Sequence, residues 1–111
     1  MIAAAVLWIA TYVSGAPHLA NHQPTLQFDA ATKRVSGSAG CNRYTGTYEE
    51  SGTHLRFSPL AVTRMMCAGS ANLVEGAFIR ALDEVRTMRS NGATLRLYGE
   101  NGVVLVRFTK E

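Results

Sequence analysis

The twelve residues from Gly37 to Tyr48 constrain the fold of this chain more than any other segment. They include three glycines, an asparagine and two tyrosines. Glycine adopts positive φ or allows another backbone to come close, and asparagine tolerates the left-handed region better than most residues. The alternation that follows, with Tyr44, Gly46 and Tyr48 on one face, is typical of a strand. The segment therefore predicts a sharp backbone corner that leads directly into a strand.

The composition is that of one small domain. With 111 residues and 47% hydrophobic content, the chain can bury one modest core, so we expect a single domain over residues 1–111. The formal net charge is +3, and the basic residues form no run. Because nucleic-acid binding usually requires a clustered basic footprint, this pattern argues against a nucleic-acid partner.

The apolar start of the chain, Met1–Ala10, is too short to span a membrane. A spanning helix needs about 20 apolar residues. A signal peptide has a basic region and a small-residue cleavage site, and neither is visible here. We therefore predict no transmembrane segment and no signal peptide. Two localisations stay open on this evidence: a cytoplasmic protein, or an exported domain expressed without its leader.

Alternating apolar residues and turn signals predict short strands along most of the chain. The predicted strands cover residues 6–13, 25–28, 34–37, 43–49, 54–58, 94–98 and 103–108. An Asn-Gly pair at 101–102 indicates the turn of the last hairpin. The segment 60–68 has an ambiguous period and is interpreted as an irregular or strand-like connector.

One helix is predicted, from Ser70 to Met88. Its apolar side chains recur at intervals of three and four residues, and its charged side chains fall mainly elsewhere. We expect Ser70 as the N-cap and Ser90-Asn91-Gly92 as the stop. Short strands with one late helix predict a mainly β fold: a compact, antiparallel, barrel-like sheet of about seven or eight strands with one helix packed against it.

Three groups of residues together carry a family resemblance. They are Gly40-Cys41-Asn42-Arg43-Tyr44 with Gly46 and Tyr48, then Thr63-Arg64-Met65-Met66-Cys67, then Glu75, Phe78 and Leu82. The chain resembles the META domain family, also called HslJ-like. The resemblance implies a β-barrel-like fold with one helix. It also implies a place in the periplasm or bacterial cell envelope, often as a lipoprotein, with roles in heat shock, stress and novobiocin resistance but no established catalysis.

The resemblance also implies which residues form the structural motif. These are Gly40, Cys41, Asn42, Tyr44, Gly46, Tyr48, Thr63 and Arg64.

Cys41 and Cys67 are the only cysteines and form a candidate disulfide. In an exported protein an even cysteine count favours a bridge. A bridge that closes a loop of this length contributes roughly 3 to 3.5 kcal/mol on the chain-entropy model. The alternative is two buried thiols that pack as small apolar side chains. Both states stay open on the sequence.

The sequence contains no recognisable catalytic or metal-binding constellation. His18, His22 and His54 have no metal-ligand spacing with one another or with the cysteines. A nucleophile elbow, a Walker A loop and a dinucleotide fingerprint are all absent from the sequence. We therefore expect a protein that is not an enzyme and that has no catalytic residue, cofactor or metal.

Five arginines are the candidate partner-binding residues: Arg64, Arg43, Arg56, Arg96 and Arg107. Arg64, in the connector, is expected either to bind backbone carbonyls of a loop or to present its charge to an anionic partner. The other four alternate with inward-facing residues of strands. If their strands are neighbours, they form a basic stripe suited to anionic lipid headgroups, lipopolysaccharide or an acidic protein. The alternative is ordinary solvated strand faces.

Two functions follow from these observations. The first is a non-enzymatic, monomeric domain of the cell envelope that binds an unknown protein or an anionic envelope component under stress. The second is a small-ligand carrier that uses the barrel interior. The apolar strand residues look sufficient to fill that interior, which favours the first function. An inhibitor of a lytic enzyme is a third possibility, by analogy alone.

Overall fold

A computed structural model describes residues 6–19 and 21–111. Within them lie nine strands, one α-helix and one short 3-10 helix. The strands are β1 (Trp8–Val13), β2 (Thr25–Asp29), β3 (Arg34–Ser38), β4 (Arg43–Ser51), β5 (His54–Phe57), β6 (Ala61–Val62), β7 (Thr87–Ser90), β8 (Thr94–Tyr98) and β9 (Val104–Lys110). Helix α1 spans Ser70–Glu84, and the 3-10 helix spans Glu100–Gly102.

Eight of these strands close into an antiparallel barrel. Their order is β3-β2-β1-β9-β8-β7-β5-β4, and pairing of β3 with β4 closes the ring. Among the described strands, β6 pairs with β4 alone, along the edge of β4 that β5 also uses. Closure removes the unpaired edges that an open sheet of this composition would expose. The predicted fold class, a barrel-like antiparallel sheet with one helix, is confirmed.

The barrel encloses a continuous apolar core. Inward-facing strand residues such as Leu26, Leu55 and Leu97 are fully buried, and α1 packs against β1, β5 and β9. From α1, the Phe78 ring makes edge-on contacts with Tyr44 and Phe108, at centroid distances of 5.6 and 6.2 Å. Side chains therefore occupy the barrel interior, which gives no support to the small-ligand carrier.

The predicted end of the helix is wrong. Helix α1 ends at Glu84, and Val85 already has an extended backbone with φ −65° and ψ 136°. Residues Thr87–Ser90 form β7, which pairs with β8. Val85 and Met88 are both buried, so their spacing continues the apolar period of the helix although the backbone has changed. Pairing with β8 overrides the local helical pattern here.

Both predicted caps of the helix are also wrong. The N-cap is Gly69, with φ 63° and no side-chain cap, and Ser70 is the first helical residue. The residues Ser90-Asn91-Gly92, expected to end the helix, instead lead from the end of β7 into the turn of the β7–β8 hairpin. There the Asn91 N–H donates to the Thr94 carbonyl at 3.0 Å, and the Thr94 hydroxyl donates to Asn91 Oδ1 at 2.6 Å.

The last hairpin turn lies where the Asn-Gly pair predicts it. Asn101 and Gly102 have φ of 68° and 74°. The apolar start agrees only in part, because the first strand begins at Trp8 and residues 1–5 lie outside the described residues. No helix among the described residues has the length and apolarity needed to cross a membrane.

Candidate functional site

The corner before β4 lies beside the connector that follows β6. Gly40 forms the corner with φ 110°, and a Cβ there would lie 3.1 Å from Val74 Cγ1 and 3.2 Å from the His22 carbonyl oxygen. Only glycine satisfies both the backbone conformation and the space. The next residue, Cys41, forms a disulfide with Cys67, with a Cα–Cα distance of 6.3 Å. The bridge links the corner to the connector.

Asn42 connects three separate segments through hydrogen bonds. Its backbone N–H donates to Glu75 Oε1 at 2.7 Å, and its Nδ2 donates to Glu75 Oε2 at 3.0 Å. The same Nδ2 donates to the Met65 carbonyl at 3.3 Å. Its Oδ1 accepts from the Met65 N–H at 2.6 Å and from the Thr63 hydroxyl at 3.1 Å. We call Asn42, Thr63, Met65 and Glu75 the clamp.

The clamp is structural rather than chemical. Asn42 is only 5% exposed, and burial of an amide next to a carboxylate is tolerated when both are hydrogen-bonded. Among the described residues, Trp8 Nε1 is the one buried side-chain polar atom without a hydrogen-bond partner. The clamp therefore leaves no buried group of its own free to act on a substrate. It holds the connector and α1 against the barrel.

The two motif tyrosines belong to the core. The Tyr44 hydroxyl donates to the Thr25 carbonyl at 2.6 Å, and burial raises the pKa of Tyr44 well above its usual range. Burial also raises the pKa of Tyr48. Gly46 lies between them, where Leu60 occupies the space that a side chain would need. Neither tyrosine is prepared to act as a base at neutral pH.

Arg64 is exposed, and its guanidinium group makes no hydrogen bond with any described residue. It lines a groove of about 640 Å³. One wall of the groove is β6 with the connector that follows it, and the other wall is α1. We call this the β6–α1 groove. The first expected role of Arg64, binding carbonyls of a loop, has no counterpart in these contacts.

Three arginines on neighbouring strands lie directly opposite one another. Arg89 on β7 pairs in register with Arg96 on β8, and Arg96 pairs with Arg107 on β9. Arg107 in turn lies opposite Tyr12 on β1, with its guanidinium carbon 4.5 Å from the centre of the tyrosine ring. All four side chains are exposed. We call them the arginine face.

The strands of the arginine face carry no compensating charge. Neither aspartate nor glutamate occurs in β1, β7, β8 or β9. Two other strand arginines have acidic neighbours across the strands: Arg34 lies opposite Asp29, and Arg56 lies opposite Glu49. Like charges therefore repeat across β7, β8 and β9, whereas opposite charges face each other in the β2–β3 and β4–β5 pairs.

The structure brings together two of the four strand arginines that the sequence singled out. Arg96 and Arg107 are cross-strand neighbours. Arg43 on β4 lies opposite Ser38, and Arg56 on β5, the strand next to β7, lies opposite Glu49. Sequence reasoning missed Arg89, because its segment was predicted as the end of the helix. The available signal was Met88 and Arg89 alternating before Gly92, in the pattern of a hairpin arm.

The described residues show no metal site. No group of three or more histidine, cysteine, aspartate or glutamate side chains among them could hold an ion. The geometry thus supplies a structural clamp, an arginine face and a groove.

A closed eight-stranded antiparallel barrel with one helix and this clamp define the class of domain. The META domain family model matches residues 4–111, and the chain belongs to that family. It is not a known enzyme family. The chain has no match among curated proteins.

Solved structures with the same fold extend the comparison. An NMR structure of a protein from Burkholderia xenovorans is 25% identical with a TM-score of 0.76, covering 97% of this chain and 83% of that one. A second NMR structure is 25% identical with a TM-score of 0.71, covering 98% and 95%. A crystal structure of a DUF4847 family protein from Bacteroides vulgatus is 20% identical with a TM-score of 0.65, covering 82% of this chain and 62% of that one. This likeness shows a shared fold alone.

Proposed function

We propose that this META domain is a non-enzymatic binding domain of the bacterial cell envelope, and that its arginine face contacts the phosphate groups of anionic envelope lipids. The periplasmic or envelope location and the stress-related role that the family resemblance implies belong to this proposal. The observation that carries it is the direct opposition of Arg89, Arg96 and Arg107 on strands that contain no carboxylate.

The charge pattern is unfavourable for folding by itself. Like charges directly opposite on neighbouring strands destabilise a sheet. The chain nevertheless places Arg96 between two other arginines, although it sets Arg56 opposite Glu49 in the β4–β5 pair. Tyr12 offsets part of this cost at Arg107, but no contact with the described residues does so at Arg96. A local arrangement that costs stability in this way is typical of a functional surface.

The row also fits a phosphate surface. Neighbouring strands lie about 4.8 Å apart, so the three arginines project from a line roughly 10 Å long. The planar guanidinium group binds phosphate oxygens through two parallel hydrogen bonds. Tyr12, beside Arg107, adds an amphipathic ring of the kind found between apolar and wet environments. The arginine face can thus meet several headgroups at once.

Binding to vesicles tests the proposal. One set would contain phosphatidylglycerol in phosphatidylcholine, and the other phosphatidylcholine alone. Each basic residue near an anionic membrane contributes about 1 kcal/mol, so replacing Arg89, Arg96 and Arg107 with glutamine should weaken binding to the anionic vesicles about 100-fold. Added salt should weaken wild-type binding, because the contacts are exposed.

The matched control replaces Arg34, Arg43 and Arg56 with glutamine. Both triple variants lower the formal net charge of +3 by the same three units, but the control leaves the arginine face intact. Its affinity should stay within about threefold of wild type, since long-range attraction alone is weak at physiological salt. Equal losses in the two variants would mean that net charge, and not the arginine face, determines binding. Wild-type protein that binds neither vesicle would also reject the proposal.

A further inference from the structure

Strand β6 has one edge without a partner. The Thr63 N–H, just after the strand, donates to the Arg43 carbonyl at 3.0 Å, and Val62 lies opposite Tyr44. In an antiparallel ladder the intervening residue turns its N–H and C=O to the opposite edge. Among the described strands only β4 pairs with β6. The N–H and C=O of Val62 are therefore available to another strand.

This free edge belongs to one wall of the β6–α1 groove. Leu60 and Val62 contribute apolar surface on the strand side, and Ile79 does so on the helix side. The volume of about 640 Å³ lies within the range of sites that bury a ligand of several groups. A strand edge with a helix alongside it is also the arrangement in which extended peptides bind by strand addition.

Gly76 keeps the helix side of this groove open. It lies inside α1, where glycine is less favourable than any residue except proline. A Cβ at Gly76 would meet no atom within 4 Å. Packing within the described part of the chain therefore does not explain the glycine. Close approach of another backbone is a standard reason for a glycine at such a position.

The charges in the groove indicate what the peptide carries. Both oxygens of Glu75 accept hydrogen bonds from Asn42, and Arg80 and Asp83 are opposite charges three residues apart on α1. Arg64 is the exposed cation on the connector side, without a hydrogen bond to any described residue. An acidic side chain on the ligand would complement it.

We propose that the β6–α1 groove binds an extended peptide segment of a partner protein, which adds a strand to β6 and places an acidic side chain against Arg64. Main-chain hydrogen bonds to Val62 fix the register, and alternate apolar side chains contact Leu60 and Ile79. The exposed Met65, beside Arg64 in the groove lining, supplies an adaptable apolar contact for the flanking residue. The site is separate from the arginine face and does not depend on the proposed function.

A displayed library of random peptides of about eight residues, long enough to contain an ordinary strand, supplies the probe. Peptides selected on the intact domain should carry an aspartate or glutamate and alternating apolar residues. Gly76→Gln should weaken their binding about tenfold or more, because the new side chain occupies the groove. Glu84→Gln places the same side chain on α1 outside the groove lining, and it should bind peptide like wild type.

Two further binding measurements address the mechanism, and a melting temperature controls for folding. N-methylation of the peptide residue that pairs with Val62 should abolish binding, whereas N-methylation of the next residue should not, because successive N–H groups point to opposite edges. Arg64→Gln should weaken binding of the acidic peptide about tenfold. It should leave unchanged the binding of an analogue in which asparagine or glutamine replaces the acidic residue. The melting temperature of Gly76→Gln should not fall below that of wild type.

Several results would overturn the inference. They are a library without binders, binding that Gly76→Gln leaves unchanged, or N-methylation at adjacent residues with equal effects. Concentration-dependent self-association that Gly76→Gln abolishes would assign the groove to a second copy of the chain and would also overturn it. Neutralising Arg89, Arg96 and Arg107 should leave peptide binding intact, so failure here and failure of the lipid proposal are separable.

Discussion

The clamp and the arginine face are both polar, and they differ in how their polar groups are paired. In the clamp, the side-chain amide of Asn42 and both oxygens of Glu75 bind groups of the same chain. On the arginine face, Arg96 has an arginine on either side and no carboxylate on the surrounding strands. The polar groups of the clamp are satisfied by hydrogen bonds within the chain. The charges of the arginine face are not compensated on their strands and remain available to a partner. The residues that identify the family therefore serve mainly the fold.

Loss of the Cys41–Cys67 disulfide should have the largest effect on stability and should leave the arginine face unchanged. The bridge spans a sequence separation of 26, so the double variant Cys41→Ser, Cys67→Ser should lose about 3.5 kcal/mol of unfolding free energy on the chain-entropy model. Urea unfolding measures the loss, and the folded variant should bind anionic vesicles like wild type. Titration of denatured, unreduced wild type should find no free thiol. Two thiols per chain would contradict the bridge.

Asn42→Ala should have the next largest effect, about 2 to 3 kcal/mol of unfolding free energy. The substitution removes the side-chain partner of Glu75, Met65 and Thr63, and leaves a charged oxygen and a backbone N–H without their hydrogen bonds. Asn72→Ala is the control, since Asn72 is exposed on α1 and should change stability by no more than about 0.5 kcal/mol. Similar losses in the two variants would show that the clamp does not carry the stability assigned to it.

Tyr44 is a hydrogen-bonded polar group in the core, and its contribution to stability depends on pH. Tyr44→Phe removes the hydroxyl that donates to the Thr25 carbonyl and should cost about 1 kcal/mol at neutral pH. Burial raises the pKa of Tyr44 in the folded protein. Its contribution is therefore fully present below the unfolded pKa of about 10 and is lost as pH rises above that value. Urea unfolding from pH 8 upward should show a flatter alkaline decline for Tyr44→Phe; identical slopes would contradict this role.

Single arginine replacements should have the smallest effects on stability, and the effect should depend on the charge that lies across the strand. Arg96→Thr removes two like-charge pairs and should stabilise the fold by about 0.5 kcal/mol. Arg56→Thr removes an opposite-charge pair with Glu49 and should bring no such gain. Because both positions are exposed, the difference should shrink at high salt. Thermal unfolding at two salt concentrations tests this, and equal shifts in melting temperature for the two variants would show that the cross-strand charge makes no difference.

The sequence predicts the barrel because its strands alternate and its turns carry recognisable residues. It also locates the motif segments, but it does not show that Asn42 meets Glu75, which lies 33 residues further along the chain. The predicted end of the helix is wrong because Val85 and Met88 keep a helical spacing after the backbone has become extended. The predicted last hairpin already makes the strands of Arg96 and Arg107 neighbours. The sequence does not place Arg89 beside Arg96, because β7 was not predicted and the register of β7 with β8 is set by tertiary pairing.

The most direct test of the central claim is to identify the surface that meets the lipid. Amide signals of the labelled domain would be recorded with nanodiscs that contain phosphatidylglycerol and a spin-labelled lipid. The arginine face predicts strong broadening for β7, β8 and β9, centred near Arg96, and little broadening for β2, β3 and β4. Broadening centred on the clamp or the β6–α1 groove, or spread evenly over the barrel, would contradict the account.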